Sequence, residues 1–363
     1  VTAMDIKVSV VMPVYNAHDY LADSLESIMG QTLREIEIIC VDDGSTDDTP
    51  QILAQYAQKD SRIRVITQKN GGAGAARNNG MQYATGEYLS ILDCDDFFEP
   101  TMLEESYRAA KEKDLDIVVF GCDFYDNESA TYRPCDYSIH YKLLPQQEVF
   151  CADDVPKDLF KVFVGWSWDK LFRTSFVRRH GLTFQEQRTT NDMLFVFGAL
   201  LRAQRISVLP LVLAHHRRGV ESLSVTREKS WMCFYDALMD LRKQLKQLGL
   251  YERFERDYKN YCVHFSLWNI NSLKEPTHTL LYNKLRDEWF EEMGLLEHPK
   301  EYFYNQYEYS CYRKIYENPI EVLEGGQQSV KEPVGIFARG WQCVKDHGLW
   351  YTVKLMVKKV LKK

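Results

Sequence analysis

The chain alternates between short apolar runs and segments of helical period over the first 225 of its 363 residues. Five runs rich in Val, Ile and Leu have the length of buried strands: 7–15, 36–41, 63–67, 88–92 and 116–122. Between them, apolar residues recur every three or four positions, which is typical of amphipathic helices. This alternation predicts an α/β fold with a mainly parallel sheet, because successive parallel strands are joined by helical crossovers.

Polar side chains follow the predicted strands at the points where the strands end. They are Tyr15 and Asn16, Asp42 and Asp43, the glycine loop 70–74 with Arg77, and the acids Asp93 and Asp95. Because ligands bind at the carboxyl ends of the strands in such sheets, we expect these side chains to face one crevice. Asn16 is also expected to cap a helix that runs to about residue 29.

Three carboxylates, Asp93, Asp95 and Asp96, stand within four positions directly after the apolar run 88–92. Buried unpaired charge is costly, so the strand is expected to stop at a cleft where the acids hold a cation. Oxygen-only ligands suit Mg²⁺ or Mn²⁺. The alternative is an acidic turn in which Asp96 is the N-cap of the helix that follows Pro100.

The loop 70–74 is rich in glycine and precedes a helix of small residues. Its Gly72-x-Gly74 pair matches a dinucleotide-binding turn only in part, since Arg77 stands where the third glycine is needed. Backbone N–H groups at a helix N-terminus, together with Arg77, favour a diphosphate instead. The alternative is a tight turn in which Arg77 pairs with an acid, and the small residues 73–76 favour close approach of a ligand over that alternative.

Other acidic positions allow either a functional or a capping role. Beside a bound diphosphate, Asp42 and Asp43 would accept hydrogen bonds from the base and ribose of a nucleotide. The alternative is a helix cap from Asp43 or Ser45. Asp192 precedes the apolar helix 193–201, which is typical of an N-cap, but a sugar nucleotide would need a carboxylate to take a proton from an acceptor.

The pattern changes along the rest of the chain. Residues 125–157 show no clear period and predict a long loop with short elements over the cleft. Apolar residues between 231 and 248 follow helical spacing, which favours packing on helices of the same chain, with a homodimer seam as the alternative. Residues 251–316 are predicted to be helical and are very rich in aromatic side chains. A linker is predicted from residue 324.

Three regions are therefore expected: a domain over 1–225, a helical aromatic-rich region over 226–325 and a tail over 326–363. In the tail, Trp350, Val353 and Met356 share one helical face, and lysines occupy the other positions. Such a basic amphipathic helix predicts binding to an anionic membrane surface. The alternative is an ordinary terminal helix docked on the core.

Composition narrows the class of protein and its compartment. With 45% hydrophobic and 27% charged residues the chain is typical of a globular protein, and its net charge of −7 argues against nucleic-acid binding. Nine cysteines without a Cys-x-x-Cys pair favour reduced thiols in the cytoplasm. No apolar run has the length of a membrane span and no signal peptide is visible. With the basic tail, these features predict a cytoplasmic protein, peripheral at the inner face of the cell membrane.

Several short motifs occur together in a characteristic order. They are Pro13-Val14-Tyr15-Asn16, Val41-Asp42-Asp43-Gly44-Ser45-Thr46-Asp47, Gly72 through Ala76-Arg77-Asn78-x-Gly80, Leu92-Asp93-x-Asp95-Asp96, Trp168-Asp169-Lys170-Leu171-Phe172-Arg173, Asn191-Asp192-x-x-Phe195, and His216-Arg217 followed by Ser222-x-Ser224. Over about the first 225 residues the chain resembles the family 2 glycosyltransferases, which have the Rossmann-like GT-A fold. The resemblance implies an inverting transfer of a sugar from a nucleotide diphosphate sugar, usually a UDP-sugar, to a hydroxyl of a glycan acceptor.

The resemblance also implies roles for individual residues. Contacts to the nucleotide sugar are expected from Pro13, Tyr15, Asp42, Asp43, Arg77, Asp93 and His216. Asp95 would ligate Mg²⁺ or Mn²⁺, and Asp192 would deprotonate the acceptor hydroxyl. Contacts to the acceptor are expected from Trp168, Lys170 and Asn191. A lipid-linked acceptor at the membrane, in capsule, exopolysaccharide or cell-wall polysaccharide synthesis, would suit the basic tail.

The chain departs from the family pattern at a few positions. Asn191 stands where Glu is common, Cys94 where Ser is usual, and His215 and His216 where aromatic residues are common. A structural role for His216 is an alternative to a donor contact. These departures affect donor specificity more than catalysis. The alternative function is a non-catalytic nucleotide- or glycan-binding scaffold on the same fold.

Overall fold

Nine strands form one mixed sheet in the part of the chain that the computed structural model describes, residues 5–218 and 223–320. They are β1 (Val8–Val14), β2 (Ile36–Asp42), β3 (Ile63–Thr67), β4 (Tyr88–Ile91), β5 (Phe97–Phe98), β6 (Ile117–Asp126), β7 (Thr131–Pro134), β8 (Lys170–Arg173) and β9 (Ile206–Arg218). Their order is β3-β2-β1-β4-β8-β6-β9-β5, and β7 pairs with β6 outside this path. Strands β1 to β4 are parallel, as are β6 and β9, so the prediction of a mainly parallel sheet is confirmed.

Helices connect the strands of the first half and make up most of the second half. They are α1 (Leu21–Met29), α2 (Thr49–Lys59), α3 (Ala73–Tyr83), α4 (Met102–Glu112), α5 (Thr174–Arg179), α6 (Met193–Arg202), α7 (Cys233–Gln247), α8 (Tyr251–Ser272), α9 (Thr277–Lys284), α10 (Phe290–Glu292) and α11 (Gln306–Glu317). A π-helical turn, Leu285–Trp289, joins α9 to α10. Among these helices none combines the length and apolar character needed to cross a bilayer.

Strand β1 lies at the centre of the parallel part of the sheet and is buried along its whole length. Val14 accepts a hydrogen bond from Asp43 on the β2 side, so Pro13 faces the β4 side. There the last backbone bond runs from Leu92 to Val11. The N–H that Pro13 lacks therefore falls beyond the paired part of β4, which is why a proline is tolerated in a central strand.

Helix α3 packs closely on the sheet because its inner face carries glycine. A Cβ on Gly80 would approach side-chain carbons of Val11 and Val41 to 2.6 and 3.0 Å. The small residues of this segment thus serve helix–sheet packing at Gly80. This contact fixes the N-terminal end of α3 relative to the ends of β1 and β2.

The cap predicted for Asn16 is wrong. Asn16 adopts a left-handed backbone conformation with φ of 47°, and α1 begins only at Leu21. Its side-chain oxygen accepts a hydrogen bond from the Thr46 N–H at 2.8 Å, and its own N–H donates to the Ser45 hydroxyl. Asn16 therefore ties the loop after β1 to the loop after β2.

Strands β5, β7 and β8 were not expected from the hydrophobic pattern. The segment 125–157, predicted as a long loop with short elements, contains such elements, namely β7 and single 3₁₀ turns at Tyr141–Leu143 and Ala152–Asp154. Strand β8 is inserted antiparallel between β4 and β6. The aromatic segment that ends in β8 is thereby joined to the strand that carries the acidic turn.

The helical region packs against the rest of the described chain. On α7, Phe234, Leu238, Leu241 and Leu245 are at most 1% exposed and face neighbouring helices, so this stripe belongs to the core and is not a homodimer seam. The Leu159 N–H donates to Asp257 of α8 at 2.9 Å. Helix α11 is tied in by a salt bridge from Lys161 to Glu308 at 2.9 Å.

The chain divides into two units, Val1–Tyr316 and Glu317–Lys363. The boundary expected at residue 225 falls inside the first unit. The expected linker, the basic tail and Ser222 of the last motif lie outside the described residues.

Candidate active site

Three carboxylates meet in the turn after β4. The ligand oxygens of Asp93, Asp95 and Asp96 lie within 4.8 Å of one another. Asp96 is fully buried and accepts a hydrogen bond from the Arg217 N–H at 2.9 Å, and its Oδ1 lies 3.0 Å from Nδ1 of His216. The alternative of Asp96 as a helix cap is therefore wrong, because its partners come from β9 and α4 begins after Thr101.

Asp95 shows the electrostatic character of this turn. Burial, together with the neighbouring charges of Asp96 and Asp93, raises the pKa of Asp95 to about 7. A carboxylate in such surroundings is stabilised either by a proton or by a cation. The donor set is oxygen only, so the residues fit Mg²⁺ or Mn²⁺.

Arg77 links the acidic turn to the segment before α6. Its guanidinium donates to Oδ1 of Asp93 at 2.5 Å and to Oδ1 of Asn191 at 2.6 Å. Burial would lower the pKa of Arg77, but the charges of Asp93 and Asp192 outweigh it and raise that pKa. The structure thus contains the pair between Arg77 and an acid, and contact with a diphosphate stays a prediction. Nε of Arg77 is buried without a partner among the described residues.

Asp192 stands at the N-cap position of α6 but makes no side-chain capping hydrogen bond. Its carboxylate is therefore not engaged in capping the helix. Burial, with the negative charge of Asp93 adding to it, raises the pKa of Asp192 to about 6, although Arg77 acts in the opposite direction. A carboxylate with this pKa is mostly ionised at neutral pH and is more basic than a free aspartate, which suits a general base.

The segment that carries Asp192 is pressed onto the start of α3. A Cβ on Gly74 would lie 2.0 Å from the carbonyl oxygen of Gln185. The Gln185 N–H in turn donates to the Asn191 carbonyl at 3.0 Å. Gly74 therefore leaves room for a neighbouring backbone segment, and the close approach that we expected there for a ligand is wrong at this position.

The expected nucleoside side is built from the ends of β1 and β2. Asp43 accepts hydrogen bonds from the Gly71 and Gly72 N–H groups, each at 2.8 Å, and Asp42 accepts one from the Ser45 N–H at 3.0 Å. Neither aspartate caps α2, which begins after Asp48. Pro13 is buried in β1, whereas Tyr15 is 48% exposed just beyond it.

His216 is the inner member of a stack of rings. Its ring lies 5.4 Å from that of Trp168 at 13°, and Trp168 stacks on Trp166 at 4.8 Å and 18°. Burial would lower the pKa of His216, but Asp96 and Asp95 outweigh it and raise the pKa to about 9. Its neighbour His215 is structural, since its ring nitrogens lie 2.7 Å from Asp123 and 3.0 Å from Glu99.

The three residues expected to contact the acceptor are all buried. Trp168 and Lys170 are 2% exposed and Asn191 is 7% exposed. Nζ of Lys170 donates to the carbonyls of Val164 and Trp166 and to Asp169. In this structure Trp168 supports His216, Lys170 fixes a loop and Asn191 orients Arg77, and contact of these residues with an acceptor stays a prediction.

One residue that shapes this site was given no role from the sequence. Trp166 is half-buried at the outer end of the ring stack, two positions before the tryptophan that was chosen. The Trp-x-Trp spacing was the available signal, because alternate residues of an extended segment point to the same side.

Known proteins resemble this chain in sequence and fold. The sequence profile described as Glycosyl transferase family 2 matches residues 9–181. EpsH of Bacillus subtilis (strain 168), itself assigned as a glycosyltransferase, is 33% identical over 290 residues, which are 77% of this chain and 81% of EpsH. The poly(ribitol-phosphate) beta-glucosyltransferase of Bacillus spizizenii is 29% identical over 301 residues, 81% of this chain and 45% of that protein.

A solved structure supports the assignment of the fold. The crystal structure of S. aureus TarS 1-349 superposes with a TM-score of 0.64 at 24% identity, covering 88% of this chain and 92% of that one. The same TarS fragment has also been solved in complex with UDP-GlcNAc, with a TM-score of 0.53 to this chain. The GT-A architecture expected from the sequence is thereby confirmed.

Proposed function

This chain belongs to glycosyltransferase family 2, and on that premise we propose that it transfers a sugar from a UDP-sugar to a hydroxyl of a glycan acceptor, with inversion at the anomeric carbon. The observation that carries the proposal is the position of Asp192. This carboxylate does not cap α6, and its pKa is about 6. It interacts electrostatically with Arg77, which donates a hydrogen bond to Asp93 in the acidic turn after β4.

The donor is proposed to lie across the ends of β1, β2 and β4. TarS, a structural neighbour, has been solved with UDP-GlcNAc, which supports a uridine nucleotide here. The half-exposed ring of Tyr15 offers a surface for the base, and Asp42 stands at the end of β2 beside it. When the donor binds, the guanidinium of Arg77 is proposed to donate hydrogen bonds to the diphosphate in place of part of its hydrogen bonding to Asp93.

A divalent cation is proposed to be held by Asp95, with Asp93 beside it. Both oxygens of Asp96 already face His216 and the Arg217 N–H, so Asp96 shapes the turn and leaves the other two acids for the ion. When bound, Mg²⁺ or Mn²⁺ neutralises charge on a departing diphosphate. Arg217 braces the turn further, because its Nε donates to the Asp95 carbonyl at 3.0 Å.

The reaction is proposed to depend on Asp192 as the general base. Its carboxylate takes the proton of the acceptor hydroxyl while that oxygen attacks the anomeric carbon from the face opposite the diphosphate. Asn191 and Asp93 hold Arg77 between the base and the acids, so the positive charge stays near both.

The test is replacement of the base by its neutral isostere. Asp192→Asn is expected to lower sugar transfer by about a thousandfold while binding of UDP-sugars, measured by calorimetry with Mn²⁺, stays nearly unchanged. Asp236→Asn, in the first turn of α7, is the matched control and is expected to retain activity. Transfer by Asp192→Asn at the wild-type rate would exclude this base. Absence of turnover by the wild-type chain with every UDP-sugar and glycan acceptor would favour the non-catalytic scaffold.

The cellular role is proposed to be polysaccharide synthesis at the inner face of the cell membrane. The name of the Bacillus spizizenii relative refers to a polymer acceptor, and the basic amphipathic pattern of residues 341–363 suits anionic lipid. A chain ending at Gly340 is expected to bind vesicles of anionic phospholipid more weakly than the full chain in a sedimentation assay. Equal binding by the two chains would exclude the tail as the anchor.

A further inference from the structure

The ring stack beside the acidic turn has its most buried ring in the middle, and both end rings are partly exposed. His216 contacts Asp96, Trp168 is buried behind it, and Trp166 forms the half-buried outer end. The planes of Trp166 and Trp168 are 18° from parallel, and those of Trp168 and His216 are 13° from parallel. The orientation of the Trp166 ring is therefore set by the buried ring of Trp168, which stacks in turn on His216.

The residue before Trp166 lies close to the residue after the proposed base. A Cβ on Gly165 would lie 3.5 Å from Cα of Met193, the residue that follows Asp192. The carbonyl of Trp166 accepts a hydrogen bond from Lys170 at 2.8 Å, and the charge of Lys170 in turn acts on the pKa of Asp192. The backbone of Trp166 is thus fixed between the base and the acidic turn.

A second aromatic side chain flanks Trp166. Tyr137 is 44% exposed, and its ring centroid lies 6.0 Å from that of Trp166 at an angle of 58°. Its other neighbour is Phe124, at 5.9 Å. Two accessible rings at an angle to each other form a shallow corner beside the proposed site of proton transfer.

We propose that Trp166 and Tyr137 bind a pyranose ring of the acceptor and hold its hydroxyl towards Asp192. This inference rests on the proposed glycosyl transfer and names the acceptor class as a saccharide with an apolar ring face. The negative face of an indole attracts the C–H groups on such a ring face, and the fixed ring costs little ordering on binding.

The rival acceptor is a polyol phosphate, which has no sugar ring and is recognised by cations. Lys170 and Arg217 are committed to partners inside the protein. Arg218 is exposed and lies 4.1 Å above the ring of Phe124, so it offers a phosphate an exposed cation near this corner. The aromatic corner thus favours a sugar ring, and Arg218 provides the variant that separates the two classes.

The test uses the full chain with a UDP-sugar, Mn²⁺ and named acceptors, and measures UDP release. Methyl β-D-glucopyranoside, methyl N-acetyl-β-D-glucosaminide and cellobiose represent pyranose acceptors, and ribitol 5-phosphate represents polyol phosphates. Trp166→Ala is expected to raise the KM for the best pyranoside about tenfold, with UDP-sugar binding unchanged, and Trp166→Phe is expected to restore most of the loss. Tyr307→Ala, at a tyrosine 75% exposed on α11, is the matched control and is expected to keep the wild-type KM.

Two outcomes would overturn the inference while leaving glycosyl transfer intact. One is an unchanged pyranoside KM in Trp166→Ala. The other is turnover stimulated by ribitol 5-phosphate alone, with the loss seen in Arg218→Ala and not in Trp166→Ala. Failure of the proposed function has a different result, since the wild-type chain would then release no UDP with any donor and acceptor.

Discussion

Gly74 and Gln185 lie so close that the carbonyl oxygen of Gln185 occupies the space of a Cβ on Gly74, at 2.0 Å. The contact places the segment that ends in Asp192 against the first turn of α3. The same helix carries Arg77, whose guanidinium donates a hydrogen bond to Asp93. A glycine that sequence reasoning associated with a ligand thus positions the base relative to the donor side.

Gly74→Ala is therefore expected to push this segment away and to lower kcat about a hundredfold, because a shift of about 1 Å in a reacting group has an effect of this size. Stopped UDP-release assays measure the rate, and calorimetry measures UDP-sugar binding. Gly165→Ala is the matched control, since its Cβ would meet Met193 at an ordinary distance of 3.5 Å. Wild-type kcat in Gly74→Ala would show that the contact does not position the base.

Transfer should depend on pH through Asp192. The base must be ionised, and its pKa is about 6, so kcat is expected to fall about tenfold per unit below pH 6 and to be level above about pH 7. Donor binding is measured at each pH so that loss of the nucleotide is not mistaken for loss of the base. A rate that stays constant down to pH 5 would contradict this assignment.

The same pKa predicts an effect on stability. Folding raises the pKa of Asp192 above its usual value of 3.8, so the folded chain binds the proton more tightly than the unfolded chain. The ionised carboxylate therefore destabilises the fold above pH 6, and this cost shrinks as the pH falls from 6 towards 4. Asp192→Asn should raise the free energy of unfolding by about 1–3 kcal/mol at pH 7.5, with a smaller gain at pH 5, as measured by urea denaturation. A destabilised variant at pH 7.5 would contradict the prediction.

Asp95 and Asp96 are expected to respond in opposite ways to the same substitution. Asp96→Asn places an amide against the Arg217 N–H and the raised-pKa ring of His216, and should destabilise the fold by about 3 kcal/mol. Asp95→Asn removes a carboxylate whose pKa is raised by burial, and should leave stability equal or higher while abolishing transfer and stabilisation by Mn²⁺ with UDP. Thermal unfolding with and without Mn²⁺ separates the two. Equal loss of stability in both variants would contradict this division of roles.

Truncation tests how far the helical region supports the catalytic half. A chain ending at residue 225 loses Asp257, which accepts the Leu159 N–H, and Glu308, which pairs with Lys161. It also exposes the face of α6 that packs on α7. We expect this fragment to be insoluble or unfolded by circular dichroism, whereas a chain ending at residue 320 should unfold cooperatively. A folded, active 1–225 fragment would contradict the expectation.

The strands and the main site could be predicted where neighbouring residues in the sequence determine the structure. Apolar runs followed by polar residues predicted β1 to β4 and placed Asp93 and Arg77 at one edge of the sheet. Residues whose partners lie far along the chain were misread. Asp96 has the sequence context of a cap, but its donors lie 120 and 121 positions later.

Strand β8 was missed because its sequence contradicts the usual pattern of a central strand. Lys170 begins it and Asp169 precedes it, and both are buried. They are tolerated because they pair with each other and because Nζ of Lys170 finds two carbonyls in the preceding loop. Neither the pairing nor the loop can be inferred from hydrophobic periodicity.

Strands β6 and β8 are antiparallel neighbours, with Val119 opposite Lys170. The segment 127–169, which carries Tyr137 and Trp166, connects these two neighbouring strands, and its own strand β7 pairs with the far end of β6. This segment can be exchanged or lengthened without moving the strand that leads to Asp93, provided that the contacts of Leu159 and Lys161 with the helices are kept. The fold thus allows acceptor choice to diversify, or to be engineered by grafting, while the chemistry on the donor stays fixed.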